Sequence, residues 1–130
     1  YGEYESQPIS IEFSADMELR KVDLMFQNLP QEFGLAQNFP NPFNPVTTIQ
    51  YMVPEASEIR LVVYDILGKS VRTLVNGIQN PGIITVEWDS KDDAGNPVSA
   101  GVYIFQLQAD GLTINKGYHY IATKKMILMK

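Results

Sequence analysis

The sequence predicts an all-β fold, an antiparallel sandwich of about seven or eight short strands. Three observations lead to this prediction. Seven tyrosines and six phenylalanines accompany many valine, isoleucine and threonine residues, a composition that favours strands over helices. Turn signals recur roughly every 8–12 residues in the second half of the chain. No stretch has the apolar periodicity of an amphipathic helix.

Each predicted strand is a short run in which every second residue is apolar, as expected when one face of a strand is buried. Turns are expected where Gly, Pro, Asn and Asp cluster, at Asp65–Lys69, Asn76-Gly77, Asn80–Gly82 and Asp110-Gly111. The predicted strands are Thr48–Val53, Ile59–Tyr64, Ser70–Val75, Ile84–Asp89, Gly101–Leu107, Leu112–Asn115 and Tyr118–Met129. The predicted core residues are Ile49, Tyr51, Val53, Ile59, Leu61, Val63, Trp88, Tyr103, Phe105 and Leu107.

Charge is unevenly distributed along the chain of 130 residues. Residues 1–34 carry seven acidic and two basic residues, whereas residues 35–130 carry eight of each. This asymmetry predicts an acidic tail of an upstream domain or a linker strand over 1–34, followed by one domain over 35–130. Strands are expected at Ile9–Phe13 and Glu18–Phe26, and whether they pack on the following domain is left open. Because the chain has no domain-wide basic face, nucleic acid is not an expected partner.

The segment Asn38–Pro45, called the proline segment below, contains three X-Pro steps. Proline withholds a backbone donor and restricts the preceding residue to extended conformations, so this segment cannot be a central strand. We expect a stiff, polyproline-like brace that Phe39 and Phe43 hold against the side or end of the core.

The final residues, Lys124–Lys130, form a basic and apolar segment. In a strand, Met126 and Leu128 would share one face while Ile127 and Met129 share the other. Both faces would then be apolar, which suits either a strand buried on both sides or an edge strand of a sandwich whose lysines discourage unwanted pairing. A chain that ends on such a segment offers either the closing strand of a domain or an address that another protein reads.

No residue pattern predicts an enzyme, a metal site or a cofactor. The acidic run Asp89–Asn96 fails the spacing of a calcium-binding loop, so an Asx-type turn is the simpler interpretation, although calcium there is left open. His119 is the sole histidine and cysteine is absent, which excludes a thiolate zinc site. No apolar run reaches membrane-spanning length. The chain starts at Tyr1 without a signal-peptide pattern, so we expect it to be a piece of a longer protein.

Several of these pieces, taken in order, resemble one family. The proline segment is similar to the QNYPNPFNP opening of the C-terminal sorting domains of the bacterial type IX secretion system, which are related to the Ig-like domain of flagellar hook-capping proteins. The similarity covers roughly residues 35–130. The remaining matching pieces are Thr47–Ile49, Val63–Val71, Trp88-Asp89, Asp92–Gly95, Ser99–Tyr103 and Lys124–Lys130.

The resemblance implies an immunoglobulin-like β-sandwich without catalytic activity or cofactor. It further implies that the domain directs an upstream cargo domain of the same chain through the periplasm and across the outer membrane, to the cell surface or the medium. The implied partners are the outer-membrane translocon and its shuttle or sortase-like components. The positions implied for recognition are Pro40, Asn41, Pro42, Asp65, Gly68, Lys69, Gly101, Tyr103, Lys125, Met126, Leu128 and Lys130.

Two features leave the interpretation open. The segment Gly111–Ala122 is longer than the family's short turn, which makes the register of the last strand uncertain. Fold does not determine function, so the alternative is a structural or adhesive Ig-like module, a spacer or a carbohydrate-binding module of a secreted protein. A sugar-binding site would need a row of exposed aromatic side chains, whereas Tyr51, Tyr103, Phe105 and Trp88 are predicted to be core residues.

Overall fold

A computed structural model describes residues 29–112 and 118–130, and every regular element within them is a β-strand. The strands predicted at Ile9–Phe13 and Glu18–Phe26 lie outside the described residues, as does most of the one predicted at Leu112–Asn115. No helix in the described ranges is long and apolar enough to cross a membrane. The strands are β1 (Gly34–Leu35), β2 (Thr47–Val53), β3 (Ser57–Tyr64), β4 (Ser70–Gln79), β5 (Gly82–Trp88), β6 (Gly101–Gly111) and β7 (His119–Leu128).

The strands form two antiparallel sheets that pack face to face, so the predicted all-β sandwich is confirmed. One sheet has three strands in the order β1-β2-β5, and the other has four in the order β4-β3-β6-β7. The pairs β3/β4 and β6/β7 follow each other in the chain, whereas the connections β2–β3, β4–β5 and β5–β6 cross from one sheet to the other. β4 and β7 are therefore the two edges of the larger sheet.

The hairpin predicted at Asn76-Gly77 is wrong. β4 continues through both residues to Gln79, and Asn76 and Gly77 pair with Arg60 and Ile59 of β3. The reason is that the ladder along the whole of β3 supplies hydrogen bonds that a local turn would forfeit. The chain instead leaves the sheet after Gln79, and Gly82 begins β5 in the opposite sheet.

The core lies between the sheets and follows the alternation predicted for the strands. All ten predicted core residues are buried, and nine of them are at most 1% exposed, Tyr103 being the exception at 7%. Phe43 is also buried, whereas Phe39 is 78% exposed, so the expectation that both phenylalanines hold the proline segment to the core is wrong for Phe39. The aromatic rings Tyr51, Trp88 and Phe105 thus belong to the interior and offer no platform to a sugar.

β7 is an edge strand with one buried face. Met126 and Leu128 are almost fully buried, whereas Ile127 and Met129 are about half exposed. The expectation of a strand buried on both sides is therefore wrong, and the alternative of an edge strand is confirmed. The pairing of β6 with β7 is continuous from Gly101↔Leu128 to Asp110↔His119, so the long connection between them leaves the register regular.

Replacing Leu61 by alanine should lower the free energy of unfolding by about 2–5 kcal/mol, because Leu61 is fully buried and its truncation leaves a cavity. Leu67→Ala is the matched control, since Leu67 is 90% exposed. Its effect should stay within about 0.5 kcal/mol. Urea unfolding followed by the fluorescence of Trp88 measures both variants, and equal losses would contradict the assigned burial.

Tyr51→Phe should stabilise the protein. The Tyr51 hydroxyl is buried and has no hydrogen-bond partner among the protein groups of the described ranges, and burial raises its pKa above the ordinary 10.0. Removing this polar atom while keeping the ring should raise the free energy of unfolding by about 1 kcal/mol at neutral pH.

The same substitution should also change the alkaline limb of stability. Because the pKa of the hydroxyl is higher in the folded state than in the unfolded state, its ionisation favours the unfolded chain. The parent therefore loses free energy of unfolding as the pH rises above about 10. Tyr51→Phe should therefore lose less stability than the parent between about pH 9 and pH 11. Urea unfolding at both pH values tests this, and a destabilised variant at neutral pH would contradict the assignment.

Candidate functional site

The residues that the sequence resemblance singled out gather at one end of the sandwich. Because the strands are antiparallel, the starts of β2, β4 and β6 and the ends of β3, β5 and β7 lie together. The loops at this end and the residues after β7 therefore become neighbours. We call it the motif end, formed by residues 36–47, 65–69, 89–103 and 125–130.

The proline segment is folded back by a buried asparagine and is not a polyproline helix. The backbone bends at 40–42 and 44–45, and the bonds Phe39-Pro40, Asn41-Pro42 and Asn44-Pro45 are cis, which corrects the expected extended brace. Asn38 donates from Nδ2 to Thr47 Oγ1 (2.9 Å) and to the carbonyl of Pro40 (3.1 Å). Thr47 donates to the same carbonyl at 2.8 Å. The two ends of the segment are thereby tied together.

This folded segment contacts the end of β7. Phe43 donates its N–H to the carbonyl of Ile127 (3.0 Å), and its own carbonyl accepts the N–H of Met129 (2.9 Å). The side-chain oxygen of Asn41 accepts the N–H of Ile127 at 3.0 Å. Gln37 adds a bond from Nε2 to the carbonyl of Lys125 (2.8 Å). The proline segment thus occupies the outer edge of β7 where the terminal residues lie.

An aromatic column connects the same parts through the core. The ring of Trp88 lies 5.8 Å from Phe43 and 5.3 Å from Tyr103, the latter in an edge-to-face arrangement. Trp88 donates from Nε1 to the carbonyl of Lys91 (2.9 Å), and Tyr103 donates from its hydroxyl to the carbonyl of Ser99 (2.6 Å). The polar tips of both rings therefore anchor the loop between β5 and β6.

The turn between β3 and β4 is held by Asp65. Its side-chain oxygen accepts the N–H groups of Leu67 and Lys69, both at 2.9 Å, and its carbonyl accepts the N–H of Gly68 at 3.0 Å. Gly68 has φ of +86°, a conformation that side chains with a Cβ rarely adopt. The turn consequently holds the apolar side chains of Ile66 and Leu67 in solvent, 70% and 90% exposed.

Asp65 also affects the pKa of the Tyr103 hydroxyl. Burial is the larger cause that raises the pKa of the Tyr103 hydroxyl, and the negative charge of Asp65 raises it further. Both residues line an open groove of about 450 Å³ at the motif end, together with Lys69, Asp92, Asp93 and Ser99. The groove is polar and open to solvent. The Asp65 turn lies on it beside the start of β6.

The acidic loop 89–96 is built around backbone-capping carboxylates. Asp92 accepts the N–H groups of Ala94 (3.0 Å) and Asn96 (2.9 Å) through one oxygen, and Asp93 accepts the N–H of Thr73 (3.0 Å). The two Asp92 bonds are the Asx-type hydrogen bonds expected from the sequence, whereas the Asp93 bond ties the loop to β4. Within residues 29–112 and 118–130, no three acidic or histidine side chains converge as metal ligands.

The candidate residues divide by exposure. Tyr103, Met126 and Leu128 are buried, so in the folded domain they position their neighbours and are not open to a partner. Cα partners across the β6/β7 ladder are Tyr103 with Met126 and Gly101 with Leu128. The other candidates are exposed, apart from the partly exposed Asp65; they are Pro40, Asn41, Pro42, Gly68, Lys69, Gly101, Lys125 and Lys130.

Sequence reasoning did not assign several residues that organise this end. Gln37 and Phe43 hold the terminal segment, and neither was a candidate, although the Asn-Pro pattern around Phe43 was a signal that the segment is structured. Trp88 was predicted as core but not as the link between the proline segment and β6. Only the three-dimensional arrangement shows these contacts, because they join residues about 45 to 90 positions apart in the chain.

Seven antiparallel strands in two sheets describe many β-proteins, but the strand order and the closed core define an immunoglobulin-like sandwich module. The comparison with protein families specifies which one. The family described as the FlgD Ig-like domain matches residues 44–112, and the chain therefore belongs to this family. The relation to the Ig-like domain of hook-capping proteins, expected from the motifs, is confirmed.

Solved structures with the same fold include latent PorU from Porphyromonas gingivalis, with 20% identity and a TM-score of 0.59, over 72% of this chain and 9% of PorU. FlgD from P. aeruginosa shares 26% identity with a TM-score of 0.50, over 63% of this chain and 60% of FlgD. PorZ of the type IX secretion system of Porphyromonas gingivalis matches more weakly, with 20% identity and a TM-score of 0.43, over 75% of this chain and 12% of PorZ. No curated protein sequence matches the chain. The chain thus spans less than two thirds of each of these structures.

Asn41→Ala should loosen the end of β7 without unfolding the domain. The substitution removes the acceptor of the Ile127 N–H, and a lost exposed hydrogen bond of about 1 kcal/mol corresponds to roughly fivefold faster amide exchange at Ile127. Asn44→Ala, at another exposed asparagine of the proline segment, is the control and should leave that exchange unchanged. NMR-detected hydrogen exchange gives both rates. Equal rates in the two variants would show that Asn41 does not hold the strand.

Proposed function

We propose that the protein is a secretion-sorting domain of the type IX system, a non-catalytic module that directs an upstream cargo domain across the outer membrane. The observation that carries the proposal is the convergence of the ordered family motifs at one end of the sandwich. Four separate sequence pieces, residues 36–47, 65–69, 89–103 and 125–130, become neighbours there, which is expected if another protein reads them together. The fold shared with PorU is consistent with this role.

The exposed lysines define the charge of the proposed address. Lys125 and Lys130 point into solvent, whereas the apolar residues between them, Met126 and Leu128, are buried. A partner that binds the folded domain would therefore read the two lysines and the proline segment, and would meet them with carboxylates. This electrostatic complementarity speeds association and selects the partner more than it adds affinity.

The path of the chain suits an appended cargo. β1 pairs through Gly34↔Met52 near the end of β2, which lies at the end of the sandwich opposite to the motif end. Residues 29–33 approach from that side, and Phe33 stacks on Tyr118 and Tyr120 at the beginning of β7. A strand of ten residues spans roughly 30 Å, so a cargo joined there would leave the motif end uncovered. The proposed location is the cell surface or the medium, after passage through the periplasm.

A second candidate is a structural Ig-like module that spaces or caps an assembly. The family match over residues 44–112 favours it, because the same family includes the domain of the flagellar hook-capping protein. A module of this kind would keep its fold and its contacts but would not move a cargo across a membrane. The two candidates therefore differ in one measurable property, export.

The test is a reporter fused to residues 1–130 and expressed in a host that has a type IX system. The fusion should reach the medium or the cell surface, and deletion of residues 125–130 should leave it in the periplasm. Lys125→Ser with Lys130→Ser should reduce export about tenfold or more, because both side chains are exposed and available to the partner. Quantitative immunoblots of periplasm, surface and medium give the distribution.

Arg60→Ser is the control, since Arg60 is an exposed basic residue of β3 outside the motif end. It should be exported like the parent. Circular dichroism melting of the purified variants checks that the domain still folds. Undiminished export of the deletion variant would sink the proposed address, and a parent fusion that stays periplasmic would favour the structural module.

A further inference from the structure

The outer face of the larger sheet is divided into two halves of different chemistry. Residues of β3, β6 and β7 that alternate with the core residues point away from the other sheet. Val62 shows this orientation: it is only 1% exposed, yet it lies outside the core cluster and between two inward residues, Leu61 and Val63. It is buried from the outer side by its neighbours on that face.

The half of this face far from the motif end is polar. Gln108 donates a hydrogen bond to Gln106 (3.0 Å), and Gln106 donates one to Thr123 (3.2 Å). These side chains therefore form a hydrogen-bonded row across β6 and β7. Glu58 and Asp110 are Cα partners in the β3/β6 ladder and lie beyond them. Such a surface is what a solvated face of an antiparallel sheet normally shows. One exposed apolar residue, Ile121, interrupts it.

The half near the motif end is apolar, and we call it the apolar half-face. Val102 is the Cα partner of Ile127, and Ile104 is the partner of both Tyr64 and Lys125. Ile127 is 42% exposed, and the other three apolar residues are partly exposed. The change from apolar to polar does not fall at one level, because Val62 on β3 is the Cα partner of Gln106 on β6. The apolar half-face consists of Tyr64, Val102, Ile104 and Ile127, and Val62 on the same face is buried.

The charges on the β7 side of this half-face are basic, whereas Asp65 follows Tyr64 at the end of β3. Lys125 lies within it, and Lys130 follows the end of β7, whereas the acidic residues of the outer face, Glu58 and Asp110, belong to the polar half. An apolar patch on a sheet face costs solvation free energy and marks an interaction surface more often than an isolated exposed residue does. A binding surface with a basic border requires a partner with carboxylates.

We propose that the apolar half-face is the docking surface for a folded protein partner whose contact region combines apolar side chains with carboxylates facing Lys125 and Lys130. The inference rests on the proposed sorting function and names the surface that the secretion machinery contacts. A second copy of the chain fits less well, because an isologous pair would bring Lys125 close to its own counterpart. A lipid surface normally requires a larger cluster of basic residues than this face provides.

The test measures binding of the full chain to the purified, detergent-solubilised outer-membrane translocon of a type IX host. The double variant Val102→Thr, Ile104→Thr keeps β-branched side chains but removes apolar area, and its dissociation constant should rise about tenfold or more. Gln106→Thr with Gln108→Thr introduces the same two threonines on the polar half of the same strand and should bind like the parent. Thermal melting must show both variants folded.

A second pair of variants keeps the inference testable if the threonine variants unfold. Ile127→Glu places a carboxylate within the apolar half-face, whereas Ile121→Glu places one on the polar half of the same strand at a similar exposure, 42% against 50%. Ile127→Glu should bind at least about tenfold more weakly than Ile121→Glu.

The possible outcomes separate the docking surface from the sorting function. Weaker binding by both apolar-face variants, with unchanged controls, supports the docking surface. Parent-like binding by those variants overturns it while leaving the sorting function intact. A parent chain that neither binds the translocon nor is exported overturns both. Concentration-dependent dimerisation that Ile104→Thr abolishes, measured by analytical ultracentrifugation, would replace the proposed partner by a second copy, and parent binding to anionic vesicles would replace it by a membrane.

Discussion

Phe43 joins parts of the sandwich that would otherwise be independent at the motif end. Its main chain bonds to Ile127 and Met129, while its buried side chain packs on Trp88, which in turn contacts Tyr103. The same residue therefore fixes the edge of the larger sheet and closes the core between the sheets. Backbone pairing and ring packing therefore meet in one residue, beside the pairing of the end of β7 with β6.

The proline segment is suited to an edge because of what proline lacks. A proline has no N–H, so it cannot extend a ladder, and a segment with three of them offers few donors to a further strand. At the opposite edge of the same sheet, Asp93 pairs with Val71 and Thr73 of β4 through its backbone and side chain. Both edges are thus covered at the motif end by loops, which limits unwanted strand addition.

The alternation of apolar residues was enough to predict β2, β3, β6 and their inward faces, because a strand with one buried face has a period of two. The turn predicted at Asn76-Gly77 does not form, because pairing with β3 continues β4 through both residues. Turn-forming residues alone therefore do not predict where this strand ends. Phe39 and Phe43 show the same limit, since identical residues in one segment differ in burial once Asn38 and Thr47 fold it. The resemblance supplied the candidate residues. That they lie close together could not be predicted without the strand order.

The two ends of the sandwich have separate tasks if the proposed function is correct. At one end Phe33, which precedes β1, stacks on Tyr118 and Tyr120 at the start of β7. At the other end the proline segment holds the last residues of the same strand. β7 is consequently anchored at both ends by segments that lie before β2 in the chain. This arrangement holds the exposed lysines and the apolar half-face in a defined geometry, which the proposed recognition by a partner requires.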